Sequence, residues 1–69
     1  MRSEEIDDLL ARDPFIPLRI FLTDGTQVDI TRPRSVALGR NQLFIVFPDE
    51  RWKFVPLRQI TSIEALQAA

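Results

Sequence analysis

Along residues 3–12 the apolar positions are spaced for a helix. Ile6, Leu9 and Leu10 fall at i, i+3 and i+4 and make one stripe on an otherwise charged segment. Ser3 is placed to cap the first turn, because its hydroxyl can accept an unpaired amide. Glu4 and Glu5 sit where the helix dipole favours negative charge, and Arg12 where it favours positive. Asp13 precedes Pro14, and a residue before proline is pushed out of the helical region, so the spacing predicts a helix over 3–12. Ten residues of helix are marginal alone in water, so the stripe must dock on the rest of the chain.

From Pro14 onward the period shifts to two. Leu18, Ile20 and Leu22 alternate with Arg19 and Phe21 in a first strand over 17–22. Thr23-Asp24-Gly25-Thr26 is a hairpin turn. The second strand runs over 27–31 with Val28 and Ile30 inward, and Pro33 ends or bends it by removing a ladder donor. It resumes over 35–38 with Val36 and Leu38 inward, and Gly39 to Gln42 turn the chain again. The third strand, 43–47, is apolar on both faces, with Leu43, Ile45 and Phe47 on one and Phe44 and Val46 on the other. Such a strand is central or covered by a partner. Pro48-Asp49-Glu50 is a polar turn, and 52–55 is the fourth strand. Residues 57–59 read as one helical turn, 60–66 as a last short strand, and Gln67 to Ala69 as a frayed end.

The expected fold is α+β, mainly β: an N-terminal helix followed by a small, strongly bent antiparallel sheet or a five-stranded barrel. One domain covers 1–69, with the helix at 3–12 and the β part at 15–66. A chain of 69 residues buries only about 60% of the surface its unfolded form exposes, so its stability margin is thin. Without Cys or His it has neither disulfides nor the usual soft metal ligands, which leaves self-association as a source of added stability.

Pro14-Phe15-Ile16-Pro17, Leu22-Thr23-Asp24-Gly25, Ile30 with Pro33 and Val36, and Ile60-Thr61-Ser62-Ile63-Glu64 resemble a pattern shared by short bacterial proteins of unknown function. The resemblance spans nearly the whole chain and implies one compact domain type without an activity. In layout the chain also looks like an Sm-like barrel. Sm-like RNA binders carry an Asp–Asn-type loop and an Arg-Gly or Lys-His element near the last strand. Here the late segment is Leu57-Arg58-Gln59-Ile60 and Arg40-Asn41 lies in a different turn context, so RNA-contact residues do not carry over.

Chemistry is sparse. With no Cys, His or Tyr and one Lys, the Ser–His and Cys–His pairs of nucleophilic catalysis cannot form. Asp24 with Asp29, and Asp49 with Glu50, are the carboxylate pairs available for acid–base work, and each has a turn or surface position that explains it structurally. Gly25 and Gly39 stand in separate turns, so no phosphate-cradling loop is present. The expectation is no enzyme, no cofactor, no metal and no small-molecule substrate. The longest apolar run, Leu43 to Phe47, is far short of the ~20 residues of a membrane span. The acidic N-terminus lacks a signal peptide's basic start, and the chain is read as cytoplasmic.

Two constellations remain. Phe21, Phe44, Trp52 and Phe54 cannot all lie in one core if one sheet face is wet. They form either a second small core or an exposed patch, which would mark a partner site. Arg32, Arg34, Arg40, Arg51 and Lys53 are interleaved with aromatics, as in binders of single-stranded nucleic acid. Net charge is −1, however; the first 13 residues hold five acids against two bases, and the remainder five acids against seven bases. The favoured expectation is therefore a non-enzymatic interaction module that forms a homo-oligomer or docks on another protein. The alternative is an Sm-like nucleic-acid binder.

Overall fold

The computed structural model describes residues 2–66. The element order is α1 (Ser3–Leu10), β1 (Leu18–Leu22), β2 (Gln27–Ile30), a 3₁₀ turn at Pro33–Ser35, β3 (Val36–Leu38), β4 (Gln42–Val46), β5 (Trp52–Pro56), a second 3₁₀ turn at Leu57–Gln59 and β6 (Ile60–Ala65). The strands form two antiparallel three-stranded sheets, ordered β2-β1-β6 and β3-β4-β5. Among the described residues no strand of one sheet pairs with a strand of the other. The ladder therefore divides into two sheets, where a single bent sheet or five-stranded barrel was expected. The division falls at Pro33, which lacks the N–H a continuous ladder needs and starts a 3₁₀ turn closed by Ser35 N–H on Arg32 C=O (3.2 Å).

Both sheets contribute to one core, and α1 adds a single fully buried residue. Leu18, Ile20, Leu22, Val28, Ile30 and Ile60 come from the first sheet side, Leu43, Ile45, Val55 and Leu57 from the second, and Ile6 from the helix. Period-two alternation puts every one of the strand residues on an inner face. Leu9 and Leu10 pack partly buried against the same cluster, as the helical stripe requires. The helix is shorter than 3–12. Ala11 N–H on Asp7 C=O (2.9 Å) closes its last turn, which leaves Arg12 outside. Arg2, with extended backbone, occupies the N-cap position; Ser3 is already helical and makes no capping bond.

Two hairpin loops share one design. In each, three residues separate a closing pair: Leu22 N–H on Thr26 C=O (2.9 Å) around Thr23-Asp24-Gly25, and Phe47 N–H on Arg51 C=O (2.7 Å) around Pro48-Asp49-Glu50. The last loop residue is left-handed in both, Gly25 at φ 87° and Glu50 at φ 71°. An aspartate precedes it in both. Asp24 accepts the Thr26 N–H (2.9 Å) and hydroxyl (2.6 Å), and Asp49 accepts the Arg51 N–H (3.2 Å). This is a three-residue hairpin loop, a geometry that favours glycine at its last position. Asp-Gly therefore marks the hairpin correctly, with only the glycine taking positive φ.

Glu50 carries a side-chain penalty that Gly25 avoids. Glu50→Gly is expected to raise unfolding free energy by about 0.5–1 kcal/mol in urea titration, the entropy of the freer unfolded chain offsetting part of the gain. Gly25→Ala is expected to lower it by a similar amount. No difference between wild type and Glu50→Gly would mean that this loop is not held left-handed in solution.

Candidate functional site

The outer face of β3-β4-β5 is the most unusual surface of the chain. Phe44 stands opposite Phe54 in the β4–β5 register, Val46 opposite Trp52, and Ala37 of β3 opposite Phe44. The bonds closing this ladder, Phe47 to Arg51 and Leu57 to Asn41, make 47/51 and 41/57 hydrogen-bonded pairs. By alternation, 44/54 and 46/52 are non-hydrogen-bonded pairs, where side chains approach most closely. The rings accordingly touch: Phe44–Phe54 at 5.0 Å between centroids, Phe44–Trp52 at 5.7 Å and Trp52–Phe54 at 5.6 Å edge-on. Trp52 is 61% exposed, Phe54 51% and Val46 41%. The triad is a cluster of mutually tilted rings on an exposed sheet face, so three of the four aromatics singled out in the sequence come together.

Phe21 does not join them. It lies on the outer face of the other sheet, between Gln27 and Ser62, and is half-buried. Val46 belongs to the cluster although an aromatic criterion passes over it. Its alternation with Phe44 in a strand apolar on both faces was the readable indication.

The same alternation exposes backbone. β5 has no strand on its far side. With residues 51, 53, 55 and 57 bonding toward β4, the N–H and C=O of Trp52 and Phe54 and the C=O of Pro56 point outward. β6 is likewise an edge. Leu66 N–H on Pro17 C=O (2.7 Å) sets its register against β1 and turns the main chain of Ile63 and Ala65 outward. Among the described residues four strands thus carry an unpaired edge, β2 and β6 in one sheet and β3 and β5 in the other, and that of β5 is lined with aromatics.

The five cations singled out in the sequence are dispersed. Arg32 and Arg34 flank a groove of about 480 Å³ with Asp29, Val46 and Phe47. Arg51 is paired with Asp49 at 2.7 Å inside the second hairpin loop. Lys53 stands opposite Ile45, in the inward row of β5, and is half-buried. Arg40 lies at the β3–β4 turn, in a separate cleft.

Three carboxyl groups are held below their ordinary range. Asp24 is lowered chiefly by the Thr26 hydroxyl and amide, with the Lys53 charge adding to them. Asp29 is lowered by Arg19, which donates through Nε (2.9 Å) and a second guanidinium nitrogen (3.1 Å). Asp49 is lowered first by the Arg51 amide and then by the Arg51 charge. Each shift favours the ionised form, the opposite of what a general acid needs at neutral pH. Among the described residues no group of three or more Asp, Glu, His or Cys is placed to hold a metal ion. No helix of the described residues is long and apolar enough to cross a membrane. No protein-family model, curated protein or solved structure matches this chain.

The depressed carboxyls fix the sign of acid sensitivity. Each folded value lies below its unfolded one, so the stabilisation is complete above the ordinary carboxylate range. It is lost as pH falls through the lowered values, below about pH 4. Urea midpoints should hold from neutral pH to about pH 5 and drop beneath that. Asp29→Asn should flatten part of the drop; an unchanged acid limb in that variant would show that the Arg19 pair contributes nothing to it.

Proposed function

We propose that the chain is a non-enzymatic interaction module that works by self-association, with the β5 edge and the Phe44/Trp52/Phe54 face as its contact surface. The observation that carries this reading is the coincidence of both features on one strand. Trp52 and Phe54 offer exposed rings and unpaired main-chain groups at once. An unprotected edge is a template for another strand, and soluble proteins normally blunt such edges with charge, proline or a covering loop. Here Lys53 in the inward row and Pro56 at the end of β5 blunt the edge in part, while the main-chain groups of Trp52 and Phe54 are left without a strand partner.

A second copy fits this surface because the chain carries its own complement. The outward groups of Ile63 and Ala65 on β6 match those of Trp52 and Phe54 on β5 in number and spacing. Pairing β5 of one copy with β6 of the next is heterologous. It closes into a ring if the rotation between copies permits, and otherwise extends. The order of helix, broken second strand, short turn, 3₁₀ turn and closing strand supports an Sm-like layout for the protomer. The same reading supplies the stability that a chain of this length lacks alone.

Magnitudes decide how the contact works. The exposed parts of Trp52, Phe54 and Val46 amount to roughly 300 Å², against about 800 Å² per partner in a standard interface. The aromatic face alone makes a weak contact, and main-chain pairing at the edge must supply the rest. Catalysis has no support in this surface, because no titratable group lies in the aromatic cluster.

Sedimentation of the purified chain over a dilution series is expected to show a multimer that dissociates at low concentration. Trp52→Glu, at a position 61% exposed, should leave the far-ultraviolet dichroism unchanged and shift the dissociation midpoint at least about tenfold upward. A monomer at every concentration, or a multimer indifferent to Trp52→Glu, overturns the assignment of this face.

A further inference from the structure

The geometry points to a phosphate-binding cleft formed by Arg2, Arg40 and Arg58, at the opposite end of the second sheet from Trp52. The cleft is open to solvent and has a volume of about 770 Å³, within the size range of small-molecule sites. Three separate segments build it. Arg2 comes from the entry to α1, Arg40 with Asn41 from the β3–β4 turn, and Arg58 from the 3₁₀ turn after β5. One main-chain bond, Leu57 N–H on Asn41 C=O at 2.9 Å, ties the last two segments together. Leu57 is itself anchored in the core. Arg40 and Arg58 therefore extend from a braced rim.

Charge sets this cleft apart from the rest of the surface. The chain as a whole is net −1, yet three arginines line the cleft against one carboxylate residue, Glu4. Among the described residues, Arg19 and Arg51 are the arginines engaged in ion pairs. The three at the cleft have no such partner there. Three like charges against one carboxylate leave a net positive cleft, and an anion that enters relieves the repulsion among them. The guanidinium fork matches phosphate oxygens two at a time, which a compact ammonium does not. All three cleft cations are arginine. The ligand class that this donor set fits is a phosphate group recognised directly by arginine.

The site is separate from the aromatic face. In the β4–β5 register Trp52 pairs with Val46, whereas the cleft begins where Pro56 pairs with Gln42. Four strand positions, roughly 13 Å, separate the two. Binding here is therefore readable whether or not the chain self-associates.

The test is an amide NMR titration of the full chain with inorganic phosphate. Adenosine monophosphate and a ten-nucleotide single-stranded RNA follow as separate arms at fixed ionic strength. Phosphate is expected to produce saturable shifts centred on Arg40, Asn41 and Arg58. Arg40→Gln and Arg58→Gln should each weaken it about tenfold, as loss of a charge-assisted pair predicts. Arg34→Gln, in the other groove, should change affinity less than about twofold and controls for net charge. The positions substituted are all exposed, and the variants' spectra report directly whether the fold is kept. RNA binding much tighter than the mononucleotide would assign the phosphate to a nucleic-acid backbone. Equal affinity would assign it to a small phosphate ester. Shifts that fail to saturate at about 50 mM phosphate, or an equal loss in Arg34→Gln, overturn the site.

Discussion

The contact on which everything else depends is between the inner rows of the two sheets. Ile20 and Ile30 of one and Leu43, Ile45 and Val55 of the other are almost wholly removed from water, and Ile6 closes the same cluster. A chain of 69 residues has apolar side chains for one such core. Because side chains alternate along a strand, seating Leu43 and Ile45 inside commits Phe44 and Val46 to the outside. A slip of one residue in β4 would exchange the two sets, so burial of the aliphatic row is what fixes the exposure of the aromatic row. The surface patch follows from core packing. Its composition does not: a sheet face that was only solvent-covered would be expected to carry polar residues at Phe44, Trp52 and Phe54.

The break at Pro33 determines how the two rows meet. A continuous strand from Gln27 to Leu38 would have kept both ladders in one sheet. Instead, the missing amide and the 3₁₀ turn at Pro33–Ser35 let β2 stay with β1 while β3 turns to pair with β4. The second 3₁₀ turn, Leu57–Gln59, does the same between β5 and β6. Each sheet is left with two outer strands, β2 and β6 in one and β3 and β5 in the other, and β5 and β6 follow one another in sequence while pairing with different neighbours. The unpaired edges and the rim of the arginine cleft share this origin, since Arg58 sits in the turn that separates β5 from β6.

Much of this was legible in the sequence because it rests on local rules. Asp24-Gly25 marked its hairpin, Pro33 its interruption and 57–59 its helical turn; the inward residues of β2 and β3 and the two faces of β1 and β4 were read residue by residue, though not which face of β4 is buried. The places where reading stopped depend on distant parts of the chain. Ser3 looks like a cap, but the position at which α1 docks starts the helix there and moves the cap to Arg2. Arg32, Arg34, Arg40, Arg51 and Lys53 look like one basic group when counted along the chain. Register separates them: Lys53 falls in the inward row, Arg51 is tied up by Asp49, and Arg40 finds companions in Arg2 and Arg58 from either end of the sequence. Phe21 parts from the other aromatics for the same reason, since it belongs to the other sheet. Whether the ladder closes is likewise a matter of how two distant edges meet, which no local pattern encodes.

The second sheet is thus polarised along its strands. At one end the paired positions are Val46 and Trp52, rich in apolar surface; at the other they are Gln42 and Pro56, beside a cleft lined by three arginines and one carboxylate. Apolar burial drives association with little dependence on salt, whereas capture of an anion weakens as salt screens the guanidinium charges. The two ends respond to different conditions for that reason. Ionic strength should loosen a ligand held at the arginine cleft while leaving contact through the aromatic face nearly unchanged. On the proposed reading, a copy held to its neighbours by one end of the sheet leaves the other end open to an anion, with a single core fixing the distance between them.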